Sequence, residues 1–137
     1  MLDLIIKNGK CYIDKDLKSV DIGIQNSKIV KIGNLNEDSS QSIDATGLTV
    51  LPGCIDTQTH FREPGSTDTE DLASGSRAAI VGGITSVFEM PNTNPATTNK
   101  AEFQRKIDLA KNRMYCNHAF YFGATPINQS ELADLKG

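Results

Sequence analysis

From Pro52 onward the chain alternates short apolar runs, bounded by turn residues, with longer segments that carry a helical stripe. This rhythm limits the fold more than any other feature of the sequence. Cys54 to Phe61 reads as a strand. Thr67-Asp68-Thr69-Glu70 has the capping-box pattern, a hydroxyl at a helix start and a carboxylate three residues on. The helix it opens runs to Val81 and stops at Gly82-Gly83. Ile84 to Met90, rich in Ile, Val and Phe, is a second strand closed by Pro91. A second helix begins after Asn99, with Phe103, Ile107, Ala110 and Met114 on one stripe. Tyr115 to Tyr121 is a third strand, and Asn128 to Leu135 starts a third helix. Successive β-α units predict parallel strands with right-handed crossovers. Spacing fits an open three-strand sheet or the first portion of an eight-fold β/α barrel, and does not choose between them.

Residues 1–51 have a different character. Leu2, Leu4 and Ile6 alternate up to an Asn8-Gly9 turn, and Cys11 to Ile13 follows. Val20, Ile22 and Ile24 run into the turn Gln25-Asn26-Ser27, and Lys28 to Gly33 completes a hairpin. The polar run Asn34 to Ser42 reads as a loop, and Ile43 to Val50 holds another short strand or two. The expectation is a small antiparallel β unit over 1–51, too thin to bury a good core alone, followed by an α/β unit over 52–137. A parallel sheet of only three units leaves an unpaired edge and an uncovered face. Lys136-Gly137 come just after a helix, so the chain reads as a beginning without an end.

Composition removes several function classes. The chain has 137 residues, room for about one domain. It is 38% hydrophobic and 23% charged, with a net charge of −3 spread along its length, so no basic face for nucleic acid is expected. No apolar run approaches the ~18 residues of a membrane span, and MLDLIIKNGK lacks the pattern of a signal peptide. Cys11, Cys54 and Cys116 are scattered without CxxC spacing, which reads as reduced thiols in a cytoplasmic protein.

The chemistry concentrates in DTQTHFREPG, residues 56–65. On a strand, alternation points Asp56, Gln58, His60 and Arg62 one way and Ile55, Thr57, Thr59 and Phe61 the other. Four polar groups on one face of a buried strand need partners, and a metal with an anionic ligand would satisfy them. His60 and Arg62 fall at the C-terminal end, where β/α barrels bind ligands. Against this stands a plain reading of His60 as a lone strand-end histidine. Gln58 offers only a neutral amide oxygen where imidazole, thiolate or carboxylate suits zinc better. Arg62 either pairs with Glu63 at the surface or presents its planar fork to a substrate carboxylate. MPNTNP, residues 90–95, is either a plain turn or a loop presenting an amide to a polar ligand at the same sheet end. His118 reads as structural, and Gly82-Gly83 as a helix stop rather than a phosphate loop.

LPGCIDTQTHFREPG, then SRAAIVGGIT, then EMPNTNP resemble the dihydroorotases of the amidohydrolase superfamily, and DLIIKNGKCYID, VDIGIQNSKIVKIG and IDATGLTVLPG are similar to the β-rich segment before their barrel. The resemblance covers essentially the whole chain. It implies a small β unit followed by the first three β/α units of a TIM barrel, incomplete. It also implies zinc, one or two ions in the complete protein, and the reversible cyclisation of N-carbamoyl-L-aspartate to L-dihydroorotate in pyrimidine biosynthesis. REPG together with MPNT implies dihydroorotase rather than allantoinase or dihydropyrimidinase. The family's HxHxR motif falls on Gln58, His60 and Arg62. His60 is then a metal ligand, Gln58 stands where a metal histidine is expected, and Arg62 and Asn92 grip the substrate carboxylate. No catalytic residue is assigned within the chain: the bridging lysine, two later histidines and catalytic aspartate of the family fall beyond it. The expectation is therefore a fragment inactive alone. The resemblance leaves open another cyclic amidohydrolase, an allantoinase or hydantoinase. It also leaves open a non-catalytic subunit supporting aspartate transcarbamoylase, with either that association or a homodimer as the assembly.

Overall fold

The computed structural model describes residues 1–135. The chain divides into two compact units, Met1–Pro52 and Gly53–Gly137. Lys136 and Gly137, which the sequence places after the last helix, lie outside the described residues.

The first unit holds β1 (Leu2–Lys7), β2 (Lys10–Ile13), β3 (Asp16–Ser19), β4 (Asp21–Gln25), β5 (Lys28–Gly33), β6 (Ser39–Asp44) and β7 (Thr49–Val50). They form two sheets, ordered β5-β4-β1-β6 and β3-β2-β7. The expected hairpin is present as β4 and β5, with Asn26 and Ser27 both at positive φ, as its tight turn requires. An antiparallel unit is only part of the answer, because β6 pairs parallel with β1 and β7 pairs parallel with β2. Ser39 to Ser42, expected as loop, is strand. Its side chains are mostly exposed, so it joins through the backbone ladder alone and leaves no apolar signature. The hairpin of β2 and β3 was also hidden, since its turn is made by Asp14 and Lys15 at positive φ rather than by glycine. Ile5, rather than Leu4 or Ile6, is the fully buried residue of β1, packed with Leu2 and Leu35. Asp21 Oδ2 accepts from Leu35 N at 3.0 Å and Oδ1 from Asn8 N at 3.1 Å. The Leu35 hydrogen bond, with help from Asn8, holds its carboxyl below the usual aspartate range.

The second unit holds β8 (Cys54–Thr59), α1 (Leu72–Val81), β9 (Ile84–Glu89), α2 (Lys100–Ala110), β10 (Asn117–Phe120) and α3 (Gln129–Ala133). The strands form one sheet in the order β10-β9-β8, parallel throughout, as the β-α rhythm predicts. Phe61, Leu72, Val87, Ala110 and Cys116 are its buried core. Asn99 caps α2 through Oδ1 on Glu102 N at 2.8 Å, and Gly82 with Gly83 at φ 84° ends α1.

Two helix readings change. α1 does not open on Thr67-Asp68-Thr69-Glu70; Asp71 caps it, in a box shared with Ser74. The reason is tertiary. Glu63 Oε2 accepts from Leu72 N at 3.0 Å, and Arg113 grips Glu63 at 2.7 and 2.9 Å, which fixes where the first turn starts. On α2, Ile107 is 40% exposed while Lys106, on the same face, is wholly buried.

Gly75 of α1 packs against the Phe61 ring, and a β-carbon there would lie 2.6 Å from two ring carbons. Ordinarily alanine favours a helix interior over glycine by about 1 kcal/mol. Here overpacking, typically about 1–3 kcal/mol, opposes that gain. Gly75→Ala is expected to lower the urea midpoint of unfolding, with an unchanged slope.

Candidate active site at the ends of β8 and β9

The tip of β8 is built differently from a regular strand. Asp56 sits opposite Val87 and Thr59 opposite Glu89, so β8 spends one more residue than β9 over the same length. That is a bulge, which re-aims side chains beyond it. The strict alternation expected for Asp56, Gln58, His60 and Arg62 is therefore broken between Asp56 and Thr59. The strand ends at Thr59, and His60 and Arg62 stand on the segment that follows rather than on the strand itself. Asp56 Oδ1 accepts from Gln58 N at 3.0 Å, stabilising the bulged backbone.

Beyond the bulge the expected residues do converge. His60 Nδ1 lies 2.8 Å from Asn92 Oδ1. With the amide oxygen accepting, Nδ1 is the donor, and in the neutral imidazole the lone pair is then on Nε2. Arg62 and Asn92 line one cleft of about 120 Å³, together with Ser66, Gly65 and Asn94. The turns on either side of it are joined where Asn94 N donates to Pro64 O at 3.0 Å, and the first is closed on itself by Ser66 N donating to Arg62 O at 2.8 Å. Gly65, at φ 127°, meets Asn94 so closely that a β-carbon would sit 3.0 Å from Asn94 Cβ, which is where glycine is needed.

The surface pair of Arg62 with Glu63 does not form. Glu63 is 6% exposed and engaged by Arg113 and the start of α1. Its hydrogen bond is the main reason the Arg113 guanidinium is raised further above its usual value. Arg62 is exposed, and among the described residues its side chain has no carboxylate partner. Gln58 is exposed and is held through its backbone. His118 lies apart from this cleft: its Nδ1 is 3.3 Å from Cys116 O, and its ring tilts against Phe120.

Two residues that organise the site were missed. Glu89, at the end of β9, is fully buried, and its Oε2 accepts from Phe61 N at 2.9 Å and lies 3.2 Å from Thr59 Oγ1, whose hydroxyl it shares with Phe88 O at 3.2 Å. Lys106 reaches it from α2, with Nζ 3.3 Å from Glu89 Oε1 and 3.0 Å from Met90 O. Burial pushes the Glu89 carboxyl up and the Lys106 ammonium down, while each partner's charge works against that shift. The signal was present: one acid in an apolar strand run, and one lysine three residues beyond Phe103 on the same stripe.

For a metal, the donor set is thin. Among the described residues no three or more His, Cys, Asp or Glu side chains gather as a site. His60 Nε2 is one good donor and the Gln58 amide a poor one, whereas zinc sites need at least three protein ligands. By themselves these residues do not fit a zinc ion.

Residues 49–136 match the amidohydrolase family model. The chain is 41% identical over 134 residues to an allantoinase of Salmonella choleraesuis (strain SC-B67), covering 97% of this chain and 30% of the relative. It is 41% identical over 137 residues to a dihydroorotase of Methanothermobacter thermautotrophicus, covering 100% of this chain and 30% of that one. The solved L-hydantoinase (dihydropyrimidinase) from Arthrobacter aurescens superimposes with a TM-score of 0.88 at 31% identity, over 98% of this chain and 30% of that structure. The chain thus spans about 30% of the length of the curated relatives it matches.

Proposed function

The chain belongs to the amidohydrolase family, and from that premise we propose that the whole protein is a dihydroorotase. It would close N-carbamoyl-L-aspartate to L-dihydroorotate and reopen it. In the closing direction the carbamoyl nitrogen bonds to the side-chain carboxyl carbon of the aspartate and one water leaves. The other carboxylate is untouched. The observation that carries this reading is Arg62, exposed and, among the described residues, without a carboxylate partner, on the cleft that also holds Asn92. A guanidinium fork beside an amide suits that spectator carboxylate. Allantoin and simple hydantoins have no such group, which favours the dihydroorotase reading among relatives that stand at equal identity.

In the complete protein, His60 is proposed to contribute Nε2 to zinc, with the remaining ligands and the catalytic acid–base supplied by residues other than those described. Zinc held there would supply Lewis-acid polarisation of a carbonyl. This chain's own share is to orient the imidazole through Asn92 and to hold the carboxylate through Arg62. The parallel β-α units are read as the opening of a (β/α)8 barrel, with the strand ends facing the ligand.

The test is a substrate panel on the complete protein with zinc: dihydroorotate should be hydrolysed in preference to allantoin and hydantoin. Preference for allantoin or hydantoin would favour the reading that the allantoinase and hydantoinase matches support. The 137-residue chain alone should show no turnover above background with zinc and bicarbonate. Gln58 motivates a second reading, a non-catalytic subunit supporting aspartate transcarbamoylase, and a complete protein without stoichiometric zinc would favour it. Gln58→His is expected to raise the zinc bound per polypeptide, measured by metal analysis after gel filtration. An unchanged metal content would remove position 58 from the ligand set.

A further inference from the structure

Both arms of the His60–Asn92 contact are fastened to one buried ion pair. Glu89 holds the amide of Phe61, which follows His60, and the hydroxyl of Thr59, which precedes it. Lys106 holds Glu89 itself and the carbonyl of Met90, on the segment that leads to Asn92. Met90 N also donates to Thr59 O at 2.9 Å, so the two arms are bonded directly below the contact. Neither Glu89 nor Lys106 lines the cleft.

The geometry points to Glu89 and Lys106 as a positioning pair that sets the His60–Asn92 contact, an assignment that rests on reading those two residues as the site. Stability is a poor explanation for such a pair. Both side chains are 0% exposed, and removing two charges from water commonly costs as much as their attraction returns. Apolar replacements of similar volume are often neutral or stabilising. What apolar residues cannot supply is direction. A carboxylate that accepts from fixed points on one loop, joined to an ammonium that donates to a carbonyl on the other, limits both loops to one arrangement. Rigid support of this kind is what holds site residues in a productive geometry.

The test uses nuclear magnetic resonance on the unmodified protein and on two double variants. In the unmodified protein the Phe61 amide should exchange with solvent in the same slow class as Val87, at least ~100-fold slower than the Arg62 amide. His60 should show a protected Nδ1 proton. E89L/K106M is expected to fold with an unfolding midpoint within about 5 °C of the parent, yet lose that proton signal. E89Q/K106M, which keeps an amide oxygen for Phe61 N–H, should restore part of it. A Phe61 amide as labile as that of Arg62, or an E89L/K106M variant that keeps the protected His60 proton, would overturn the assignment. If E89L/K106M does not fold, the exchange pattern of the unmodified protein decides alone. These readouts need no turnover. Failure to hydrolyse any cyclic amide would remove the proposed function and leave the geometric result standing.

Discussion

Lys106→Met alone should lower the unfolding free energy by about 3–5 kcal/mol, the usual cost of leaving one member of a buried pair without its partner. Urea denaturation at neutral pH measures it. The methionine fills much the same volume, so the loss is not one of packing; it comes from Glu89, left as a carboxylate with no cation in a wholly buried position. The variant has an escape, which gives the prediction its pH signature. Burial already pushes the Glu89 carboxyl up, and Lys106 is one of the groups opposing that rise. Without Lys106 the rise is larger. A carboxyl raised in the folded state contributes stability below its unfolded pKa and loses it as pH climbs through the folded value. The deficit of Lys106→Met relative to the parent should therefore be greatest at neutral pH and shrink as the solution is acidified. A pH-independent deficit would mean that Glu89 is not the group responsible.

The second large effect concerns substrate. On the proposed reading, Arg62→Ala in the complete protein should raise KM for dihydroorotate by about 30–150-fold, the equivalent of ~2–3 kcal/mol for hydrogen bonds to a charged group. The change should sit in KM rather than kcat. The carboxylate that Arg62 would hold is remote from the ring amide bond that breaks, so it is bound equally in the ground and transition states, and losing such binding leaves kcat nearly unchanged. Arg62→Lys should recover only part of the loss, because a point charge replaces a planar fork. Hydantoin, which lacks the carboxylate, should react with unaltered KM. Equal losses on both substrates would assign Arg62 to the architecture of the loop instead.

How much of this was legible in the sequence depends on whether a feature is local. The parallel sheet was, because Gly82-Gly83 and Pro91 punctuate the β-α rhythm and Asn99 caps its own helix. The meeting of His60 with Asn92 could be anticipated, since consecutive parallel strands bring their C-terminal ends together. The start of α1 could not, because it is set by Glu63 and Arg113, partners far apart in sequence. β6 was invisible for another reason: a mostly exposed strand of serines pairs by its backbone and shows no hydrophobic period. Lys106 was hidden by its apolar neighbours on α2. A stripe assembled by counting apolar residues passes over the one charged residue that shares it, although a lysine at a core position already calls for an acid nearby.

The extra residue between Asp56 and Thr59 has a consequence for how this protein can change. The ladder is interrupted there and resumes at Thr59 opposite Glu89, just before the segment that carries His60 and Arg62. A second shift of opposite sense lies between Cys54 and Ile55, so the two offsets cancel, and deleting one residue from Thr57-Gln58 would leave β8 one residue short of β9 and draw His60 and Arg62 away from Asn92. A single-codon loss or gain at that joint would therefore act on the placement of His60 and Arg62.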